Sequence, residues 1–241
     1  MPKIKLSDGT SFHYKTKPIY LGVKRIDKEI ALENLCVLKR VLDKRGVEFQ
    51  LTYGSLLGAI REKDFITHDE DIDLLVMDEN KQCLFDALPE LKGEGFDVAR
   101  YDRIGLLSIY RKGEYIDFYF YSKRADGTRY CRGSIFPCEM LEETTNYGFK
   151  GLQVKIPVAY NEYLSYVYGE DWRIPVAWFN YEVPKWKKLM LSIKSVVKDL
   201  LPYKLFVAMV RARDLRIAMK YEKKLKKYRE NHSISVGMRQ T

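Results

Sequence analysis

The sequence predicts an α+β fold: a mixed β-sheet with flanking helices over residues 1–184, then a basic amphipathic helical region over residues 185–241. Three observations predict it. Apolar residues alternate between helical and strand spacing along the first two thirds of the chain. An Asp-x-Asp pair, Asp71-Ile72-Asp73, runs directly into the apolar Leu74-Leu75-Val76, although Asp is a poor strand former. Charge is also divided unevenly. Residues 185–241 hold 16 Lys and Arg against 4 Asp and Glu, whereas the preceding 184 residues hold 26 against 29. A nearly neutral body therefore carries a strongly basic tail.

Residues 1–20 read as short extended segments around an Asp8-Gly9 turn. An amphipathic helix follows from about Val23 to Lys44, with Ile26, Ile30, Leu35, Leu38 and Leu42 at helical spacing and Gly46 closing it. Val47 to Tyr53 alternates as a strand; Gly54-Ser55 breaks it and opens a short helix from Leu56 to Arg61. After the strand at 71–76, Asp78 can cap a helix that runs to about Leu91. Strands are expected at 96–101, 106–111 and 115–121, with turns at Lys112-Gly113 and Asp126-Gly127. Residues 128–158 read as loops with short strands, and 161–168 as a helical turn or two ended by Gly169. Pro175 and Pro184 bracket an irregular link. Leu189, Ile193, Val196, Val197 and Leu200 then start a helical pattern, Pro202 interrupts it, and a second helix runs from about Leu205 to Tyr228. The residues from Ser233 onward read as disordered.

Composition narrows the function classes. An apolar fraction of 46% is that of a globular protein able to bury a core. Met1 to Leu6 has no long apolar run and nowhere do 18 apolar residues follow one another, so neither a secretory leader nor a membrane-spanning helix is expected. Cys36, Cys83, Cys131 and Cys138 lack disulfide-framework spacing and point to a reducing, cytoplasmic compartment. Cys131 and Cys138 have no nearby His, so they are read as buried or free thiols rather than zinc ligands.

The chemistry concentrates in His68-Asp69-Glu70-Asp71-Ile72-Asp73. On a strand, residues two apart share a face, which would aim Asp69, Asp71 and Asp73 the same way. Like charges so placed repel unless a cation lies between them, and oxygen-only donors suit Mg²⁺ or Mn²⁺. A solvated acidic turn is the plain alternative. Asp117 stands inside the apolar and aromatic Tyr115-Ile116-Asp117-Phe118-Tyr119-Phe120, where a charge needs either a metal or a basic partner. Tyr53-Gly54-Ser55 joins a strand to a helix, a place where backbone can approach a phosphate at a helix N-terminus.

Gly-Ser, then Asp-x-Asp, then a single Asp on a later strand resembles the nucleotidyltransferase superfamily. The block from Tyr53-Gly54-Ser55-Leu56-Leu57-Gly58-Ala59-Ile60-Arg61 to Phe65-Ile66-Thr67-His68-Asp69-Glu70-Asp71-Ile72-Asp73 is similar to the signature of the LicD family. So are Ile156-Pro157 through Tyr163-Leu164 and Tyr168-Gly169-Glu170-Asp171-Trp172. That family includes bacterial phosphocholine transferases and has fukutin and fukutin-related protein as relatives. Thr67-His68 stands where the family usually carries Pro-Trp, which leaves the donor's identity open; His68 reads either as a pocket hydrogen-bonder or as a surface residue.

The resemblance implies a nucleotidyltransferase-like fold and a metal-dependent phosphotransferase. Its donor would be a CDP-activated alcohol such as CDP-choline, CDP-ribitol or CDP-glycerol, and its acceptor a hydroxyl of a glycan or lipid-linked glycan. It makes Asp71, Asp73 and Asp117 the catalytic and metal-binding carboxylates. Gly54, Ser55, Arg61, His68 and Asp69 become substrate-binding candidates, with Arg61 toward the diphosphate or, alternatively, paired with the acidic segment. The competing reading is a nucleotidyltransferase that moves NMP from an NTP to a sugar, a small molecule or RNA. The basic tail is expected to lie on an anionic membrane surface, making the protein peripheral, or else to pack its apolar stripe on the body; nucleic acid is the weaker partner.

Overall fold

A computed structural model of the chain describes residues 2–17, 25–175, 186, 189–190, 193 and 201–237, with backbone alone at 203, 206, 209 and 232–237. The link between Pro175 and Pro184 and most of the helix expected after Trp186 lie outside the described residues. So do residues 238–241 and the Val23 start of the first helix.

The first two strands, β1 (Lys3–Lys5) and β2 (Ser11–His13), form an antiparallel hairpin around Asp8-Gly9, where Gly9 takes a φ of +84°. Helix α1 (Lys28–Lys44) begins where Asp27 accepts the Glu29 and Ile30 amides at 3.1 Å, a side-chain cap worth about 1 kcal/mol. Residues 25–27 are thus outside the helix. Its buried stripe is Ala31, Leu35, Leu38, Val41 and Leu42.

The expected strand at 47–53 shrinks to β3 (Gln50–Leu51), and α2 runs from Tyr53 to Arg61 rather than from Leu56. Tyr53 makes the sharp reversal itself with a φ of +42°, which leaves Gly54 and Ser55 in the first helical turn. Strand β4 (Asp71–Met77) falls where the pattern places it. Asp78 opens a single 3-10 turn instead of capping, and α3 (Lys81–Gly93) follows. Strands β5 (Asp97–Tyr101), β6 (Leu106–Arg111) and β7 (Glu114–Lys123) come next. Residues 128–158 are more regular than their sequence suggests. They hold a hairpin of β8 (Thr128–Cys131) and β9 (Ser134–Pro137), the short α4 (Cys138–Glu142), and a second hairpin of β10 (Thr144–Phe149) and β11 (Leu152–Pro157). Helix α5 (Tyr160–Tyr168) stops at Gly169, whose φ is +107°.

The main sheet runs β10-β11-β3-β4-β7-β6-β5, and the β8–β9 hairpin extends from β7. It is mixed: β4 pairs parallel with β7, β11 parallel with β3, and the other pairs are antiparallel. This is the expected α+β architecture with a mixed sheet. Helices α1 and α3 pack on each other and α2 packs on β4. The core includes Leu74, Val76, Phe118, Phe120, Leu35 and Leu88.

The last helix, α6 (Tyr203–Gly237), continues through residues whose sequence reads as disordered. Its face with Val210, Asp214, Ile217, Tyr221, Leu225 and Tyr228 is turned to the body. Gly133 makes the close approach possible: a Cβ there would lie 2.5 Å from the Asp214 carbonyl oxygen and 2.8 Å from Ile217 Cβ. Arg132 pairs with both Asp102 and Asp214, and Lys224 Nζ donates to the carbonyls of Tyr166 (2.6 Å) and Val167 (2.9 Å) at the end of α5. A cation on those last carbonyls also complements the helix dipole. The rings of Phe136 and Tyr166 pack at a tilt against Tyr221, with centroid distances of 5.4 and 5.8 Å. Among the described residues no helix is long and apolar enough to cross a membrane.

Candidate functional site

Parallel pairing of β4 with β7 builds the centre of the site. The register sets Asp73 opposite Asp117, and Asp71 opposite Tyr115. Asp71 and Asp73 share a face of β4 by the two-residue period, so register alone brings Asp117 beside them. All three are buried, Asp117 to 2% exposure and Asp73 to 8%. Buried carboxylates this close compete for protons. Burial, then the charges of Asp71, Asp69 and Asp117, hold the Asp73 carboxyl well above the ordinary carboxylate range. Tyr119, next along the same face, is pushed up by burial and by the charges of Asp73, Asp117 and Asp71.

The start of α2 is fitted to the same strand. The Gly54 N–H donates to Asp73 Oδ2 at 3.2 Å, and Ser55 Oγ accepts the Asp73 N–H at 2.8 Å. The positive end of α2 thus faces an anion already supplied by the chain. The Ser55 hydroxyl keeps its own proton to donate. Asp69 lies just before β4, not on it, and reaches the same turn. A Cβ on Gly54 would come within 2.2 Å of Asp69 Oδ2, so any larger residue there would push that carboxylate aside. Burial is the main cause that raises the Asp69 carboxyl, with Glu62 adding and the Glu70 N–H and His68 opposing.

Asp117 has the basic partner that its apolar surroundings demand. Arg100 donates to Asp117 Oδ2 at 3.0 Å and to Ser108 Oγ at 2.8 Å. This ion pair is one of the two alternatives open from the sequence. Arg61 is held by partners other than the three carboxylates. It donates to the Trp172 carbonyl at 3.3 Å and pairs with Glu62 at 2.7 Å, which ties α2 to the Tyr168–Trp172 block. His68 is half-buried beside Asp69.

Two residues that the sequence does not single out join the site: Arg100, and Tyr168 on α5. Burial raises the Tyr168 hydroxyl and the charges of Asp73 and Asp69 raise it further, so the hydroxyl lies within electrostatic reach of those carboxylates although the residue as a whole is partly exposed. Its one signal is its place in the Tyr168-Gly169-Glu170-Asp171-Trp172 block. Arg100 has none, because one arginine on an alternating strand looks like any other. Behind the turn, the Tyr53 hydroxyl bonds to that of Tyr121 at 2.5 Å and to Ser134 Oγ at 3.2 Å, and Thr52 Oγ1 bonds to the Tyr163 hydroxyl at 2.5 Å. Cys131 is a buried thiol that donates to the Gly105 carbonyl at 3.3 Å.

The donor set of Asp71, Asp73 and Asp117 has the chemistry of a hard divalent cation site: oxygen only, anionic and crowded. Among the described residues no three acidic, imidazole or thiol groups are already arranged as a metal cage. Two of these carboxylates each have one oxygen on a protein donor, Arg100 or the Gly54 amide.

Residues 46–159 match the family model described as LicD/FKTN/FKRP, nucleotidyltransferase domain. The uncharacterized protein RT0683 of Rickettsia typhi is 25% identical over 167 residues, covering 68% of this chain and 50% of its own. Ribitol-5-phosphate transferase FKTN of Macaca fascicularis is 26% identical over 166 residues, covering 64% of this chain and 36% of its own. The chain spans half or less of the length of these curated relatives. Among solved structures, the antibiotic-resistance factor ANT(2'')-Ia aligns over 86% of this chain and 98% of its own, with 15% identity and a TM-score of 0.44. The matched segment holds the Gly54-Ser55 turn, both strands of the acidic centre and all three of its carboxylates, and this part of the chain is similar to the nucleotidyltransferase domain of the LicD/FKTN/FKRP family.

Proposed function

We infer that the chain is a metal-dependent phosphotransferase that moves an alcohol phosphate from a CDP-activated donor to a hydroxyl of a glycan or lipid-linked glycan. The observation that carries this reading is the in-register convergence of Asp73 and Asp117, with Asp71 on the same face, at the N-terminus of α2. The fukutin relative is named for ribitol-5-phosphate transfer, which favours a polyol phosphate as the transferred group.

In this reading Asp71, Asp73 and Asp117 hold Mg²⁺ or Mn²⁺. When bound, the cation neutralises phosphate charge and lowers the pKa of the acceptor hydroxyl. The chain's own residues do the remaining work. The acceptor oxygen forms a bond to the phosphorus that bears the alcohol. The bond from that phosphorus to the oxygen shared with CMP breaks, and CMP leaves with the electron pair. Asp117 accepts the hydroxyl proton. The Ser55 hydroxyl and the first amides of α2 orient the donor phosphates. Arg61 would have to leave the Trp172 carbonyl and Glu62 to reach the diphosphate, and Tyr168, His68 and Asp69 border the entrance. Arg100, paired with Asp117, keeps that carboxylate aimed.

The test is turnover with Mg²⁺ and CDP-choline, CDP-ribitol or CDP-glycerol, following CMP. Expected is CMP from at least one CDP-alcohol and no pyrophosphate from ATP or CTP. Pyrophosphate from an NTP, with nothing from any CDP-alcohol, would instead establish nucleotidyl transfer by the same carboxylates.

A further inference from the structure

Helix α6 carries two apolar stripes, and only one of them is used by the body. The inner stripe, Val210, Ile217, Tyr221, Leu225 and Tyr228, packs on the β9 region. Roughly opposite, at about 100° per residue, lies a second stripe of Leu205, Ala208, Ala212, Leu215 and Met219. All five are exposed, Leu205 to 58%, Leu215 to 62% and Met219 to 56%. Such exposure of large side chains in a repeating row asks for an occupant.

Its charge surroundings say which. Lys204 and Arg211 run along one edge of the outer stripe, and Arg216, Lys220 and Lys223 along the other, all exposed. From Lys204 to Glu230 the helix has ten basic residues against three acidic ones, and one of the acids, Asp214, is buried against Arg132. A narrow apolar strip between two basic rails is the pattern of a helix lying in a lipid interface. The strip sinks to the acyl boundary, while the long Lys and Arg side chains reach up to the headgroups. Nucleic acid would be met by the cations but would leave Leu215 and Met219 in water. Upstream, Trp186, Leu189, Met190 and Ile193 are also exposed at helical spacing, with a tryptophan suited to the interface.

We propose that the outer face of α6, centred on Leu215 and Met219, docks on an anionic lipid bilayer while the inner face stays seated on the body. From the sequence, membrane contact and packing on the body stand as alternatives for the tail. In the fold they are compatible, because they use opposite sides of one helix. Membrane docking is also separable from the phosphotransfer reading, since vesicle binding is measured without turnover.

The experiment uses the full chain in co-sedimentation with phosphatidylglycerol-rich vesicles and with pure phosphatidylcholine vesicles, at low and high salt. Expected is binding to the anionic vesicles that weakens with salt, because the exposed charges are screened. Leu215→Glu with Met219→Glu should lower the partition on the order of tenfold or more. Arg216→Glu with Lys223→Glu should lower it comparably. Both pairs should melt like the unmodified chain, since neither touches the inner face. Absent binding to anionic vesicles would overturn the proposal. So would full binding by the Leu215→Glu, Met219→Glu chain, which would reduce the contact to charge alone. A dimer in sedimentation equilibrium that this same variant splits would assign the stripe to a second copy of the chain instead.

Discussion

Replacing Asp73 with Asn should stabilise the metal-free protein while abolishing its activity. Asp73 and Asp117 are register partners on neighbouring strands, about 4.8 Å apart by strand spacing. At an effective dielectric near 20, two like charges at that separation repel by about 3 kcal/mol. Arg100 beside Asp117 offsets part of this, and relaxation removes more, so a net gain of about 1–2 kcal/mol is expected in the variant. For a chain of this size each kcal/mol raises Tm by about 2–4 °C. Asn keeps an oxygen to accept the Gly54 amide, so the turn at α2 survives. The pH sign follows from the raised proton affinity of Asp73 in the fold. Above that raised value the ionised group costs stability; as pH falls through it the carboxyl takes up a proton and the cost disappears. The variant's advantage is therefore largest above that raised value and fades as pH falls through it. Thermal melts across pH, with and without Mg²⁺, check this: Mg²⁺ should raise Tm in the unmodified chain and much less in the variant. A variant that melts lower than the unmodified chain at every pH, or that Mg²⁺ stabilises as strongly, would refute the reasoning.

Two further outcomes follow from the geometry around the site. Gly54→Ala brings a Cβ to within 2.2 Å of Asp69 Oδ2, so the carboxylate must swing away. Because the clash is with a side-chain tip, the melt should shift by no more than about 1 kcal/mol, while misplacement at the turn costs turnover on the order of 10²-fold. A chain ending at Pro184 loses the packing of Val210, Tyr221, Leu225 and Tyr228 and leaves Arg132 without Asp214. At about 1.5–3 kcal/mol per buried side chain it should melt several kcal/mol less stable, and calorimetry showing an unchanged Tm would mean that α6 adds no stability to the body.

Much of the site is legible in the sequence. Asp71 and Asp73 must share a face once residues 71–76 read as a strand, because a strand repeats every two residues. Asp117 is conspicuous as a charge in an apolar strand, which burial makes costly without a partner. Other features depend on residues far apart in the chain. That Asp117 stands beside Asp73 is a matter of parallel register between β4 and β7, and no local pattern states a register. Arg100 reaches Asp117 only because β5, β6 and β7 are neighbours, and Asp69 meets Gly54 only because the segment ahead of β4 folds back on α2. Boundaries at β3 and α2 shift for a similar reason: Tyr53 adopts a left-handed φ where its hydroxyl is held by Tyr121 and Ser134. For the last helix, sequence determines the periodicity and the excess of positive charge. Periodicity marks an apolar stripe but not what it touches. Only the approach of α6 to Gly133 decides that Tyr221 and Leu225 face the body while Leu215 and Met219 face outward.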